Sequence, residues 1–228
     1  MPELPEVETT VRGLVPVLRG HRLTTVEPRR ADLRYAFPPD LRQRLTGATV
    51  TELGRRAKYG LIGTDRGDTL VFHLGMSGKW RIDPAEIGLH DHLLLETDEG
   101  RRLALNDPRR FGSLDLVPTD ALETFPAFAK IGPEPLGESF DAAYLQAALA
   151  GRAAPIKALL LDQRIVAGLG NIYVCEALHL AGIAPSRAGG RISKPRLVRL
   201  VDAIKAVLLA AIEAGGSSLR DYARPDGE

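Results

Sequence analysis

Ile131-Gly-Pro-Glu-Pro135 divides this 228-residue chain into two parts of different character. Upstream, between about residue 21 and residue 117, β-rich runs alternate with turn signals. Ala48–Leu53, Tyr59–Thr64 and Thr69–Leu74 read as strands, with Asp65-Arg-Gly-Asp68 turning between the last two. His92–Thr97 and Arg102–Leu105 flank a second turn, Asp98-Glu-Gly-Arg101, and Gly112 leads into Ser113–Val117. Hairpins spaced in this way predict an antiparallel β-sandwich. Downstream, residues 139–150, 155–163, 171–181 and 193–214 read as helices joined by Gly168-Leu-Gly170 and Gly182-Ile-Ala-Pro185. At the other end, Leu4, Val7, Val11, Leu14 and Leu18 form the apolar stripe of a first helix. Gly20 ends that helix, which is expected to cover part of the sandwich. The class is therefore α+β, with an N-terminal helix and β-sandwich in residues 1–131 and an all-α domain in residues 132–228.

Composition narrows the function. The hydrophobic share of 44% and charged share of 26% are those of an ordinary globular chain, neither disordered nor fibrous. One cysteine, Cys175, excludes an internal disulfide framework and a four-cysteine zinc site, and fits a reducing compartment. No segment reaches the roughly 18 apolar residues of a membrane span. Glu3, Glu6, Glu8 and Arg12 stand where a signal peptide would be apolar, so a cytoplasmic location is expected. The net charge of +1 is unevenly placed: residues 1–150 carry 19 Lys and Arg against 22 Asp and Glu, and residues 151–228 carry 11 against 7. Arg187, Arg191, Lys194, Arg196, Arg199 and Lys205 are opposed only by Asp202. This run is either a phosphate-facing surface or a solvated helix face.

The first chemical candidate is Met1-Pro-Glu-Leu-Pro-Glu-Val-Glu-Thr9. A small second residue permits removal of Met1, which leaves Pro2 with a secondary amine. Such an α-amino group titrates at about 8, so an unprotonated fraction exists near neutrality. Attack by that amine on a sugar C1′ gives an iminium ion, which acidifies the neighbouring C–H for elimination. Glu3 is placed to protonate the sugar ring oxygen, and Glu6, one turn on, to hold or relay protons. Capping and the helix dipole favour the same residues in a first turn.

Arg55-Arg-Ala-Lys-Tyr-Gly60 puts three cations at the start of a strand, where they could grip phosphates or supply a general acid, or merely guard a strand edge. In His73-Leu-Gly-Met-Ser-Gly78, a methionine just past a strand suits an exposed wedge that enters a base stack. Asp107-Pro-Arg-Arg-Phe-Gly112 puts an arginine pair and an aromatic ring on a tight turn, suited to reading an unpaired base and filling stacking space, or to local packing. His90-Asp-His92 resembles half a metal site without a third ligand; a phosphate contact or a satisfied structural histidine is expected in place of a metal. In Val166-Ala-Gly-Leu-Gly-Asn-Ile-Tyr173, a glycine turn opens a helix at about Asn171, whose free N–H groups suit a phosphate, with Arg152 and Lys157 nearby. Gly215-Gly-Ser-Ser-Leu-Arg-Asp-Tyr222 reads as a polar loop.

Together these segments resemble the formamidopyrimidine-DNA glycosylase family. PELPEVET, RRAKY, HLGMSG, HDH, DPRRFG, GPEPL, IK, VAGLGNIY, AGI and GGSSLRDY occur in the family's order and spacing across the whole chain. The resemblance implies a β-sandwich, a helix–two-turn–helix domain and a DNA cleft between them. It implies that Pro2 forms a Schiff base, that Glu3 donates the proton for base removal and that Lys58 assists β-elimination. Met76, Arg109 and Phe111 match residues that fill the gap left by a flipped nucleotide. His73, His90, Arg152, Lys157 and Asn171 match positions near phosphates or the lesion. The 215–222 loop, with Ser217, Ser218 and Tyr222, matches one that closes over the everted base. The implied partner is damaged double-stranded DNA, bound by a monomer, with no redox cofactor or catalytic metal. Family members usually continue into a four-cysteine zinc finger, and the chain ends where that module would begin. A zinc ion is thus expected only with the finger, and the chain is read as truncated, with weakened DNA binding and impaired δ-elimination.

Three other readings compete. An endonuclease VIII-like glycosylase for oxidised pyrimidines shares the Pro-Glu start but fits the Met76 and Arg109–Phe111 loops less well. A non-catalytic lesion-binding module would need the same surfaces without the nucleophile. An N-terminal-proline tautomerase would leave the basic helical domain and the wedge loops without a purpose.

Overall fold

The computed structural model describes residues 1–216. Helix α1 (Leu4–Leu18) forms where the apolar stripe requires it, and Gly20, at φ 85°, follows its end. Its side chains serve two cores. Val7, Val11, Leu14, Val17 and Leu18 join the interior of the sandwich, whereas Leu4 belongs to the core of the helical domain. The helix is thus a pin through both halves, a wider role than covering the sandwich.

The sandwich consists of two four-stranded antiparallel sheets. One runs in the order β1 (Leu23–Pro28), β6 (Asp91–Thr97), β7 (Arg102–Asn106), β5 (Lys79–Ile82). The other runs β2 (Val50–Arg56), β3 (Tyr59–Thr64), β4 (Asp68–His73), β8 (Ser113–Pro118). Side chains from both inner faces, among them Val26, Leu70, Phe72, Trp80, Leu93 and Leu103, fill the space between them. The hairpins read from the turn signals are present, as β3–β4 and β6–β7.

Two strands and the short helix α2 (Leu41–Leu45) are not legible in the sequence. Strand β1 hides because its register shifts between Leu23 and Thr25, so buried Leu23 and Val26 stand three apart instead of alternating. Strand β5 has only four residues, too few to show a period.

After a 3₁₀ turn at Thr119–Thr124 the chain becomes helical: α3 (Ala142–Leu149), α4 (Ile156–Leu161), α5 (Asn171–Leu180) and α6 (Lys194–Glu213). All four expected helices form, each within a few residues of its expected bounds. Their apolar faces meet around Phe140, Leu160, Val174, Leu200 and Ile204, and α1 packs against α6 as well as β2 and β3. No helix among the described residues is long and apolar enough to cross a membrane.

Candidate active site

The junction between the two domains is built around the first turn of α1. Glu3 is the N-cap of that helix and forms a reciprocal capping box with Glu6, whose Oε2 accepts from the Glu3 N–H at 2.8 Å. The capping reading of these glutamates is therefore realised. It does not exhaust Glu3, whose side chain is 2% exposed and lies across the domain junction. Its Oε1 accepts from the Ile172 N–H at 3.0 Å, at the start of α5, and its Oε2 is buried with no hydrogen-bond partner. The expected phosphate-binding helix start is thus in part already occupied, by a carboxylate of the chain itself.

The glycine turn makes this approach possible. The Leu4 N–H donates to the Gly168 carbonyl at 3.1 Å, and a Cβ at Gly170 would stand 2.3 Å from Glu3 Cδ. A Cβ at Gly168, whose φ is 77°, would stand 2.7 Å from Leu4 Cδ1. The spacing Gly168-Leu-Gly170 is therefore a requirement of docking α1, as well as of the turn. Gln163 holds the turn from behind: its Nε2 donates to the Leu169 carbonyl at 2.8 Å and its Oε1 accepts from the Gly168 N–H at 2.8 Å.

Glu6 is buried as well, and its Oε1 accepts a 2.5 Å bond from the Tyr173 hydroxyl of α5. Sequence reasoning does not find Gln163 or Tyr173 for these contacts. The groups they serve lie in the glycine turn and the first helix, and no local pattern signals them.

Lys58 completes the centre. It follows Ala57 in a two-residue turn between β2 and β3, where Arg56 pairs with Tyr59. Ala57 sits at φ 52°, a left-handed conformation that costs a non-glycine residue roughly 1 kcal/mol. The strain is held by Glu134, whose Oε1 accepts from the Ala57 N–H at 2.6 Å. Lys58 is 8% exposed and burial pushes its ammonium below the usual lysine range, although Glu3 and Glu6 pull the other way. Burial likewise pushes the Glu3 carboxyl above its usual range, against the Ile172 N–H and the Lys58 charge.

The other two cations of this motif are not available to grip a phosphate. Arg55 donates to Glu8 and Glu134 at 3.1 and 2.7 Å. Arg56 donates to Glu134 Oε1 at 2.7 Å and to the Gly132 carbonyl at 2.8 Å. Burial alone would raise the Glu134 carboxyl, but Arg55, the Ala57 N–H and Arg56 hold it below its usual range. The pair ties the sandwich to the linker that divides the sequence.

His73 ends β4 with its ring 4.8 Å from that of Tyr59. Its Nδ1 accepts from the Gly75 N–H at 3.0 Å, so the ring carries its proton on Nε2, as a neutral donor. Burial, with help from the Lys58 and Arg34 charges, lowers its pKa to about 4. Beyond it, the loops around Gly75 and Gly112 lie against each other. A Cβ at Gly75 would stand 2.3 Å from the Phe111 carbonyl carbon. Buried Asp107 joins the loops: Oδ1 accepts from Ser77 Oγ at 2.7 Å and Oδ2 from the Gly112 N–H at 2.8 Å. Met76 and Phe111 remain 40% and 46% exposed, with Arg109 Cζ 5.0 Å from the centroid of the Phe111 ring.

His90 is exposed and His92 buried, its Nε2 3.0 Å from the Asp107 carbonyl. No group of three or more potential metal ligands occurs among the described residues. Arg152, Lys157 and Asn171 lie in the helical domain, with Arg152 and Asn171 exposed and Lys157 half-buried. Of the basic run before and within α6, Arg196 donates to the Gly182 carbonyl at 2.8 Å and Lys205 to that of Gly137 at 3.4 Å. Ser217, Ser218 and Tyr222 lie outside the described residues.

Fold and site define a two-domain protein in which a buried carboxylate and a desolvated lysine act on each other's charge where an N-terminal sandwich joins a helical domain, with Met76 and Phe111 exposed on two adjoining loops. Residues 1–114 match the family model of the formamidopyrimidine-DNA glycosylase N-terminal domain, and residues 131–223 match that of the formamidopyrimidine-DNA glycosylase H2TH domain. The chain belongs to the formamidopyrimidine-DNA glycosylase family. It is 74% identical to the formamidopyrimidine-DNA glycosylase of Rhizorhabdus wittichii and 67% identical to that of Novosphingobium aromaticivorans, in each case over the whole chain and 84% of the relative. Among solved structures it resembles the MutM (Fpg) protein of Thermus thermophilus, at 39% identity and a TM-score of 0.89, covering 100% of this chain and 83% of that one. It also resembles Lactococcus lactis Fpg in complex with DNA containing N7-benzyl-Fapy-dG, at 36% identity and a TM-score of 0.91, covering 100% and 85%.

Proposed function

We propose that this chain is a DNA glycosylase with an associated lyase activity, which removes oxidised purines such as 8-oxoguanine and formamidopyrimidines from duplex DNA and then cuts the strand. The single observation that carries the reading is the buried Glu3 carboxyl, with one oxygen pinned by Ile172 and the other unpartnered, beside Pro2 and the desolvated Lys58.

With Met1 attached, the Pro2 nitrogen is an amide; Met1 is 50% exposed and its removal frees a secondary amine. The target nucleotide is extruded from the stack, at a cost of a few kcal/mol that insertion of Met76, Arg109 and Phe111 partly offsets. The amine lone pair of Pro2 forms a bond to C1′, the glycosidic bond breaks, its electron pair leaves with the base, and the proton lost from the Pro2 nitrogen neutralises the departing base. Glu3, whose hold on its proton burial strengthens, gives that proton to the sugar ring oxygen as the ring opens to an iminium ion. Removal of a C2′ proton then expels the 3′ phosphate in β-elimination. Lys58 is suited to this step, because burial raises the fraction of free amine. Neutral His73, with His90, Arg152, Lys157 and Asn171, is assigned to contacts with phosphates or the lesion. Ser217, Ser218 and Tyr222 are assigned to closure over the base. The active species is proposed to be a monomer, with residues 1–131 and 132–228 as its domains and no cofactor in its chemistry.

The test is borohydride trapping on a duplex with 8-oxoguanine opposite cytosine, with the cross-link mapped by mass spectrometry. An adduct on Pro2 is expected. An adduct on Lys58 alone, or excision without any adduct, would overturn the assigned nucleophile.

A further inference from the structure

Arg34 and Tyr35 lie on the connection between β1 and α2, outside the sequence motifs. That connection is fixed by its backbone. The Arg34 N–H donates to the Gly112 carbonyl at 3.0 Å, and the Leu33 N–H donates to the Tyr35 carbonyl at 3.0 Å. Buried Leu33 and Phe37 anchor the stretch from below. Tyr35 nevertheless remains 60% exposed, more than Phe111 at 46%. Arg34 Cζ stands 5.4 Å from the centroid of the Tyr35 ring, which repeats the arrangement of Arg109 over Phe111 at 5.0 Å. Two arginine–aromatic pairs therefore flank one peptide, that of Gly112.

The neighbouring arginines are occupied. Arg29 donates to the Gly88 and Asp91 carbonyls at 2.7 and 3.0 Å, Arg30 stands 3.6 Å from Asp32, and Arg81 stands 2.8 Å from Asp91. Among the described residues the Arg34 guanidinium has no carboxylate partner and stays exposed. It is close enough to His73 for its charge to act on that ring, as does the charge of Lys58. An unneutralised guanidinium steadied on an aromatic face, on a backbone bonded to the Gly112 loop, suits a phosphodiester strand.

We propose that Arg34 and Tyr35 form a second DNA-gripping pair beside the Arg109–Phe111 wedge, in which Arg34 binds a backbone phosphate and Tyr35 holds its guanidinium in place. The assignment rests on the DNA glycosylase reading. As a backbone contact it adds affinity without sequence or lesion preference.

The experiment compares duplex affinity across a salt series for wild type, Arg34→Ala, Arg34→Lys, Tyr35→Phe and Tyr35→Ala, with undamaged DNA and DNA carrying a stable abasic analogue. Arg34→Ala is expected to weaken binding to both duplexes by the same factor. It should also lower the slope of log affinity against log salt by about 0.9, the value for one lost phosphate contact. Arg34→Lys and Tyr35→Phe should keep the wild-type slope, whereas Tyr35→Ala should weaken binding part of the way. If Arg34→Ala keeps the wild-type affinity and slope while wild type binds DNA, this pair is not a contact and the glycosylase reading stands. If wild type binds neither duplex at any salt concentration, the glycosylase reading fails and the pair with it.

Discussion

The two regions assigned to chemistry and to base-stack insertion are built in opposite ways. Around Glu3, the reactive groups come from the first domain, are held by bonds from the second, and are altered by burial: Glu3 holds its proton more tightly and Lys58 less tightly than each would in water. Around Gly75 and Gly112, Met76, Arg109 and Phe111 stand in solvent, come from one domain, and sit on loops that Asp107 and close backbone contacts join. A proton donor needs an environment that changes its acidity, whereas a wedge needs only a fixed position and a free surface. The difference separates residues whose loss should stop the reaction from residues whose loss should slow access to it.

Glu3→Gln breaks the buried side most directly. Base excision is expected to fall by about 10²- to 10⁴-fold, the usual contribution of a positioned acid, measured as single-turnover release of 8-oxoguanine. Stability should move the other way. Folding raises the Glu3 pKa above its ordinary 4.5, so the native state favours the neutral form and loses stability as pH rises through the raised value. The melting temperature of Glu3→Gln relative to wild type should therefore rise between pH 4.5 and pH 8; a constant difference would show that Glu3 is not strained in its charged form.

Gly170→Ala tests the same region without touching a titrating group. Its Cβ would stand 2.3 Å from Glu3 Cδ, so the carboxylate or the α5 turn must shift, at a cost of about 1–3 kcal/mol. Denaturant unfolding should register that loss, together with slower excision. Wild-type activity in a destabilised protein would show that Glu3 has room to spare.

Ser77→Ala loosens the exposed side. It removes the bond to Asp107 and the weaker one from the Arg109 N–H, at about 1 kcal/mol each. Excision from duplex DNA should slow several-fold, while cleavage of a preformed abasic site in single-stranded DNA, which needs no wedge, should not. Equal slowing of both would move this loop into the chemistry.

The smallest effect belongs to His73. With its pKa lowered to about 4, it should stay neutral from pH 5 to pH 8 and contribute no limb to the pH–rate profile there. The imidazole signals of His73 should likewise be flat by NMR over that range, and a midpoint near 6.5 would contradict its buried, Nδ1-accepting position.

Much of this molecule is legible in its sequence. Helical spacing locates α1 and four later helices, turn chemistry locates two hairpins, and the Pro-Glu start and glycine-bounded loops point to the residues that cluster in the fold. These features depend on periods and conformational preferences that act within a few residues. The Arg-Arg-Ala-Lys run misleads in one respect. Its three cations look equivalent in sequence, yet Glu134, 79 residues from Arg55 and 78 from Arg56, takes the two arginines and leaves Lys58 to the centre. Arg34 and Tyr35 escape a sequence reading for a related reason, since their exposure and the bond from the Arg34 N–H to Gly112 have no local signature.

The sequence by itself thus determined the elements, the change from strands to helices, and the small set of residues able to do the chemistry. Only the tertiary structure decided which charges are spent and which are free. It set Glu3 against Ile172, 169 residues away, Tyr173 against Glu6 across 167 residues, and Ser77 against Asp107 across 30. Local preference follows from backbone sterics and hydrophobic period, whereas the acidity and availability of a polar group follow from what surrounds it after folding.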